Sequence, residues 1–136
     1  MGSRTGLLLA RIGGLLGELA DEGLSDAGLN AREYAIMAIL SEDGPDSQHE
    51  LAQLLGKAPA VIVAVVDALE QRGLASRTRD PADRRRTRVT LTGAGREALV
   101  HADRLARQVT ASALHGLDED ELEHVHALLA KGLGLA

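Results

Sequence analysis

The densest chemistry in this 136-residue chain lies between Arg72 and Arg96. Eight arginines there (Arg72, Arg77, Arg79, Arg84, Arg85, Arg86, Arg88 and Arg96) face only Asp80 and Asp83. The segment therefore carries +6 in a chain whose total is −5, leaving −11 for the rest. A basic stripe in an acidic body is an electrostatic footprint for a polyanion, whereas the total charge speaks mainly to solubility. Arginine outnumbers lysine 13 to 2. Its planar fork suits bidentate contact with phosphates and base edges, although GC-rich coding gives the same bias. A charge run by itself is most simply a solvated turn; its setting has to decide.

Other chemistries are poorly provided for. Cysteine, phenylalanine and tryptophan are absent and Tyr34 is the only aromatic. Disulfides, thiolate metal sites and thiol nucleophiles are thereby excluded, as are aromatic platforms for single strands or RNA. His124 and His126 lie two apart on a predicted helix, without the i,i+4 partner that helical zinc pairs use. The acidic run from Asp118 to Glu121 reads as charge complementing a helix N-terminus. No nucleophile–base pair, phosphate loop or metal set is visible, so neither an enzyme nor a cofactor is expected.

The elements that position the arginines follow from spacing and caps. Apolar residues make up 45% of the chain and charged residues 26%, the balance of one globular domain. Leu8, Ile12, Leu15 and Leu19 form a helical stripe, and Asp21–Leu29 reads as a loop. Asn30 and Glu33 open a second helix whose apolar face carries Tyr34, Met37, Ile39 and Leu40. The run from Glu42 through Asp43, Gly44 and Pro45 to Asp46 ends it. Ser47 with Glu50 reads as another capping box, starting a short helix that buries Leu51 and Leu54, with Leu55 beside them. Gly56 turns the chain. Pro59 suits the first position of a helix that ends near Arg72 and Gly73.

A short helix, a glycine turn and a longer helix have helix-turn-helix spacing. Ala75–Arg79 and the alternating Thr87–Leu91 then read as two strands around a turn at Asp80–Asp83. The expected fold class is mainly α with a small β-hairpin wing (α+β). A winged helix-turn-helix core over 30–92 is flanked by N- and C-terminal dimerisation helices over 4–24 and 93–136. Thr92 caps a long helix presenting Leu99, Ala102, Leu105, Val109 and Ala113. Asp118 and Glu121 cap a last one presenting Leu122, Val125, Leu129 and Leu133. These stripes, with Leu8, Ile12 and Leu15, exceed what a small core covers and predict a twofold homodimer. Leu7–Ala20 is broken by Arg11 and Glu18 and is too short to span a bilayer, so a cytoplasmic protein without a membrane partner is expected.

The run from Asp80 to Thr92 resembles the wing signature of the MarR family of bacterial transcriptional regulators, Asp-x-Arg, five residues, then Leu-Thr. Asp83, Arg85, Leu91 and Thr92 match at that spacing. Val66-Asp67-Ala68-Leu69-Glu70-Gln71-Arg72-Gly73-Leu74 is similar to the family's recognition-helix exit. The resemblance implies that Arg85 enters the minor groove, where a narrow, negative groove attracts guanidinium groups. It sets Arg84, Arg86 and Arg88 along flanking phosphates, with Asp83 bracing the wing by pairing with an arginine. Ser47, Gln48, Lys57, Ala60, Val61, Val63 and Ala64 become the helix-turn-helix contacts. Here the chain departs from the family, which commonly has Ser, Thr and Arg on that face. Val61, Val63 and Ala64 donate no hydrogen bonds and are limited to thymine methyl contacts.

By the same resemblance, the partners are double-stranded operator DNA, a second copy of the chain, and a small anionic or phenolic effector. Arg11, Leu15, Tyr34 and Met37 are the candidate lining of the effector pocket. Without the resemblance, an arginine among leucines simply snorkels to water. The leading expectation is a homodimeric repressor on a pseudo-palindromic operator, released by an effector. A second, of another class, is a winged-helix protein-interaction scaffold that has lost specific DNA binding.

Overall fold

A computed structural model describes residues 2–42 and 46–135. Six α-helices and one hairpin follow in order: α1 (Gly2–Gly23), α2 (Ala31–Leu40), α3 (Gln48–Leu55), α4 (Pro59–Gln71), β1 (Ala75–Arg79), β2 (Thr87–Leu91), α5 (Gly93–Ala113) and α6 (Glu119–Gly132). Residues 43–45, in the predicted turn after α2, lie outside the described residues.

Local chemistry accounts for most boundaries. Asn30 and Glu33 form a full capping box at α2, and Asp118 and Glu121 another at α6. Thr92 Oγ1 accepts the Gly95 N–H to start α5. Gly56, with φ +61°, ends α3 in the left-handed region that side chains avoid, and Pro59 opens α4. The α3–α4 pair is bent by 117°, within the range of helix-turn-helix units. No single described helix is long and apolar enough to cross a membrane.

The antiparallel hairpin runs from Ala75 opposite Leu91 to Arg79 opposite Thr87. Val89 and Leu91 point into the core while Arg88 and Thr90 face outward, as the alternation predicts. Ser47 bridges to Arg88, so the chain entering α3 borders β2. Beyond the hairpin, Gly95 lies under the Leu74 carbonyl, where a Cβ would come within 2.0 Å of that oxygen. Only glycine lets α5 start so close to the strand.

The core gathers Ile36, Met37, Leu51, Ile62, Val66, Leu69, Val89 and Leu99, with Leu24 and Leu29. Those two leucines correct the reading of Asp21–Leu29 as a plain loop. Helix α1 continues to Gly23, a 3₁₀ turn spans Ser25–Ala27, and the leucines on either side anchor it. Leu54, expected inside, is exposed, because α3 is short and buries only Leu51 and Ala52. The α1 and α6 stripes stay largely uncovered: Leu8 is 56% exposed, Leu129 42% and Leu133 73%. Ile12, Leu15, Leu122 and Val125 are half-buried.

Candidate nucleic-acid interface

The wing tip is ordered by its own backbone. Asp80 N–H donates to the Arg86 carbonyl and Arg86 N–H to the Asp83 carbonyl, both at 3.0 Å. The Asp80 carboxylate accepts the Ala82 N–H at 2.9 Å and the Asp83 carboxylate accepts the Arg85 N–H at 3.0 Å. Asp83 therefore braces the wing through the main chain, and the expected pairing of its side chain with an arginine is corrected. An Asx turn uses the carboxylate locally before it can reach a guanidinium.

The arginines divide into two sets. Arg86 pairs with Glu50 on α3 and reaches Ser47 Oγ. Arg88 pairs with Asp46, Nη2 to Oδ2 at 2.8 Å and Nε to Oδ2 at 3.0 Å. That hydrogen bond and the Asp46 charge raise the Arg88 pKa further. These two cations, expected on phosphates, are held against the protein's own carboxylates. Arg84 and Arg85 are exposed at the tip, and among the described residues neither forms an ion pair. Arg79, exposed at the end of β1, is a third such cation.

Helix α4 turns one face into the core through Ile62, Val66 and Leu69. Ala60, Val63 and Ala64 are exposed on the other, followed by Asp67 and Glu70. Lys57 is exposed in the turn, while Val61 is half-buried beside it in an apolar cleft of about 170 Å³. Ser47, expected as a contact, is buried at 2% exposure and caps α3 through its Oγ, which accepts the Glu50 N–H at 3.1 Å. Its capping box is half-formed, because the Glu50 carboxylate turns to Arg86.

Arg77 has a role that its place in the sequence did not announce. Its Nε donates to Gln48 Oε1 at 2.8 Å and its Nη2 to the Val63 carbonyl at 3.0 Å. Its Nη1 pairs with Asp67 at 2.6 Å and with Glu70 at 3.2 Å. One guanidinium thus joins the hairpin to α3 and α4. The visible signal was an arginine on β1 downstream of two acids spaced three apart on the preceding helix. Pro59, Val63, Gln48, His49, Arg85 and Arg86 share a cleft of about 210 Å³ between the two helices and the wing.

The effector-pocket residues are not brought together in either cleft. Met37 is fully buried, since α2 is enclosed around most of its girth and its apolar side chains belong to the core. Arg11 is exposed and Leu15 half-buried on α1. Tyr34 Oη donates to Asp103 Oδ1 on α5 at 2.7 Å. Burial, then that hydrogen bond, push the phenol pKa well above its ordinary value. Among the described residues, no cluster of His, Asp or Glu could hold a metal ion.

A bent helix pair followed by a hairpin with unpaired arginines at its tip defines a winged-helix regulator of the DNA-binding class. The MarR family model matches residues 29–87. A probable transcriptional regulator from Pseudomonas aeruginosa is 35% identical over 93% of this chain and 94% of its own, with a TM-score of 0.72. CouR from Rhodococcus jostii RHA1, bound to p-coumaroyl-CoA, is 29% identical over 92% and 88%, with a TM-score of 0.74. The MarR family protein Rv2887 of Mycobacterium tuberculosis, in complex with DNA, is 28% identical over 93% and 95%, also at 0.74. The chain belongs to the MarR family.

Proposed function

We propose that the protein is a homodimeric repressor that occupies a pseudo-palindromic operator. In this reading α4 lies in the major groove and Arg85 enters the adjacent minor groove, with Arg84 on the flanking backbone. Lys57 and the start of α4, which has no side-chain cap, hold phosphates. Twin copies joined through α1, α5 and α6 set half-sites about one turn apart, ~34–36 Å. A small effector that changes the spacing of the two α4 helices releases the operator. Rv2887, whose structure is a complex with DNA, and CouR, bound to p-coumaroyl-CoA, support these two parts of the reading.

The observation that carries it is the separation of the wing arginines: two are neutralised at home, and two at the outermost turn form no ion pair among the described residues. The test is retardation of the duplex between this gene and its neighbour. Arg85→Ala weakens binding by tenfold or more, on the order of 1–3 kcal/mol, and leaves the dimer intact. Unchanged affinity refutes the wing role.

A further inference from the structure

The outward face of α4 has an unusual division of chemistry. Over its first half it presents only Pro59, Ala60, Val63 and Ala64, all exposed and all hydrocarbon. Over its second half come Asp67 and Glu70, both committed to Arg77. The next amide on that face, Gln71, is the last residue of the helix, about 12 Å along the axis from Val63. Gln48 on α3 already has its oxygen on Arg77. The first half of α4 itself therefore offers a base edge no side-chain donor or acceptor; the polar groups that border it, His49 and the Gln48 amide nitrogen on α3 and Thr87 on β2, come from other elements. Against a major groove, hydrocarbon has a single complementary feature, the methyl group at C5 of a pyrimidine. Every other base-edge group there is polar and would lose water without gaining a partner.

We propose that α4 reads pyrimidine C5 methyl groups, so that thymine and 5-methylcytosine are accepted alike and unmethylated cytosine is disfavoured. Recognition of the operator then depends on the methylation state of any cytosine opposite Val63. This rests on the DNA-reading function proposed above. The occupant is argued from position: Val63 and Pro59 line the same cleft as Arg85, so a duplex on the wing arginine brings its groove to this surface. Arg77 holds the Val63 carbonyl, which fixes the isopropyl group relative to the wing.

The test starts from a duplex selected by the full-length protein from a random library. Each thymine in the selected half-site is then replaced by deoxyuridine, which removes only the methyl group. Affinity falls about fourfold per methyl that α4 covers. At the same positions a C·G pair binds weakly and a 5-methylcytosine·G pair regains most of the loss. In Val63→Ala, an exposed site where truncation leaves the core alone, discrimination between thymine and uracil shrinks. Equal binding of thymine and uracil duplexes, equal binding of cytosine and 5-methylcytosine, or unchanged discrimination in Val63→Ala each overturns the methyl reading while operator recognition stands. If no duplex is selected, the operator reading itself falls, and this inference with it.

Discussion

At the residue scale, the wing arginines differ in what they must give up to meet a phosphate. Among the described residues Arg84 and Arg85 form no ion pair, whereas Arg86 must leave Glu50 and Arg88 must leave Asp46. Partly exposed pairs of this kind are worth little to stability, so their larger effect falls on binding. Glu50→Gln releases Arg86 without changing shape. It should tighten binding to any duplex several-fold and steepen the dependence on salt by about one further ion per protomer. Fluorescence anisotropy with a random-sequence duplex at several salt concentrations measures both. Weaker binding would mean that Glu50 prearranges Arg86 for DNA instead of competing for it.

At the scale of elements, the wing depends on α2 and α5 holding their mutual position, and Tyr34 with Asp103 is one of their ties. The folded phenol binds its proton more tightly than the unfolded one, whose ordinary value is about 10. The stabilisation is therefore complete below pH 10 and is lost as the pH climbs from there toward the folded value. Wild type should lose thermal stability above pH 10 more steeply than Tyr34→Phe. The variant should start about 1 kcal/mol less stable at neutral pH. Parallel melting curves across that range would contradict this tie.

These elements also mark how far the sequence could be read. Helix starts were legible because Asn30, Ser47, Thr92 and Asp118 act within three residues of themselves, and the hairpin because alternation and turn residues are local. Leu24 and Leu29 escaped because isolated leucines among glycines and aspartates have no period; only the packed core tells them from loop residues. The basic wing was visible as composition. Its division into free and engaged arginines was not, since Glu50 and Asp46 reach it from 36 and 42 positions away. Asp83 was found at the right place in a different role, because an Asx turn and an ion pair require the same residue.

At the scale of the whole molecule, the proposed homodimer would cover the exposed leucines of α1 and α6. Leu129→Asp places a charge in that stripe and should give a folded monomer by light scattering, with operator affinity reduced to that of a single half-site. A variant that stays dimeric would move the interface away from α6. Doubling also multiplies the wing: a dimer would bring four tip arginines, Arg84 and Arg85 of each copy, to one duplex. The most direct measurement is the slope of log affinity against log salt for wild type and for the Arg84→Ala/Arg85→Ala variant on one operator duplex. A slope shallower by about two to four is expected in the variant, with the dimer preserved. Superimposable slopes would contradict it, because the wing tips would then not touch the DNA.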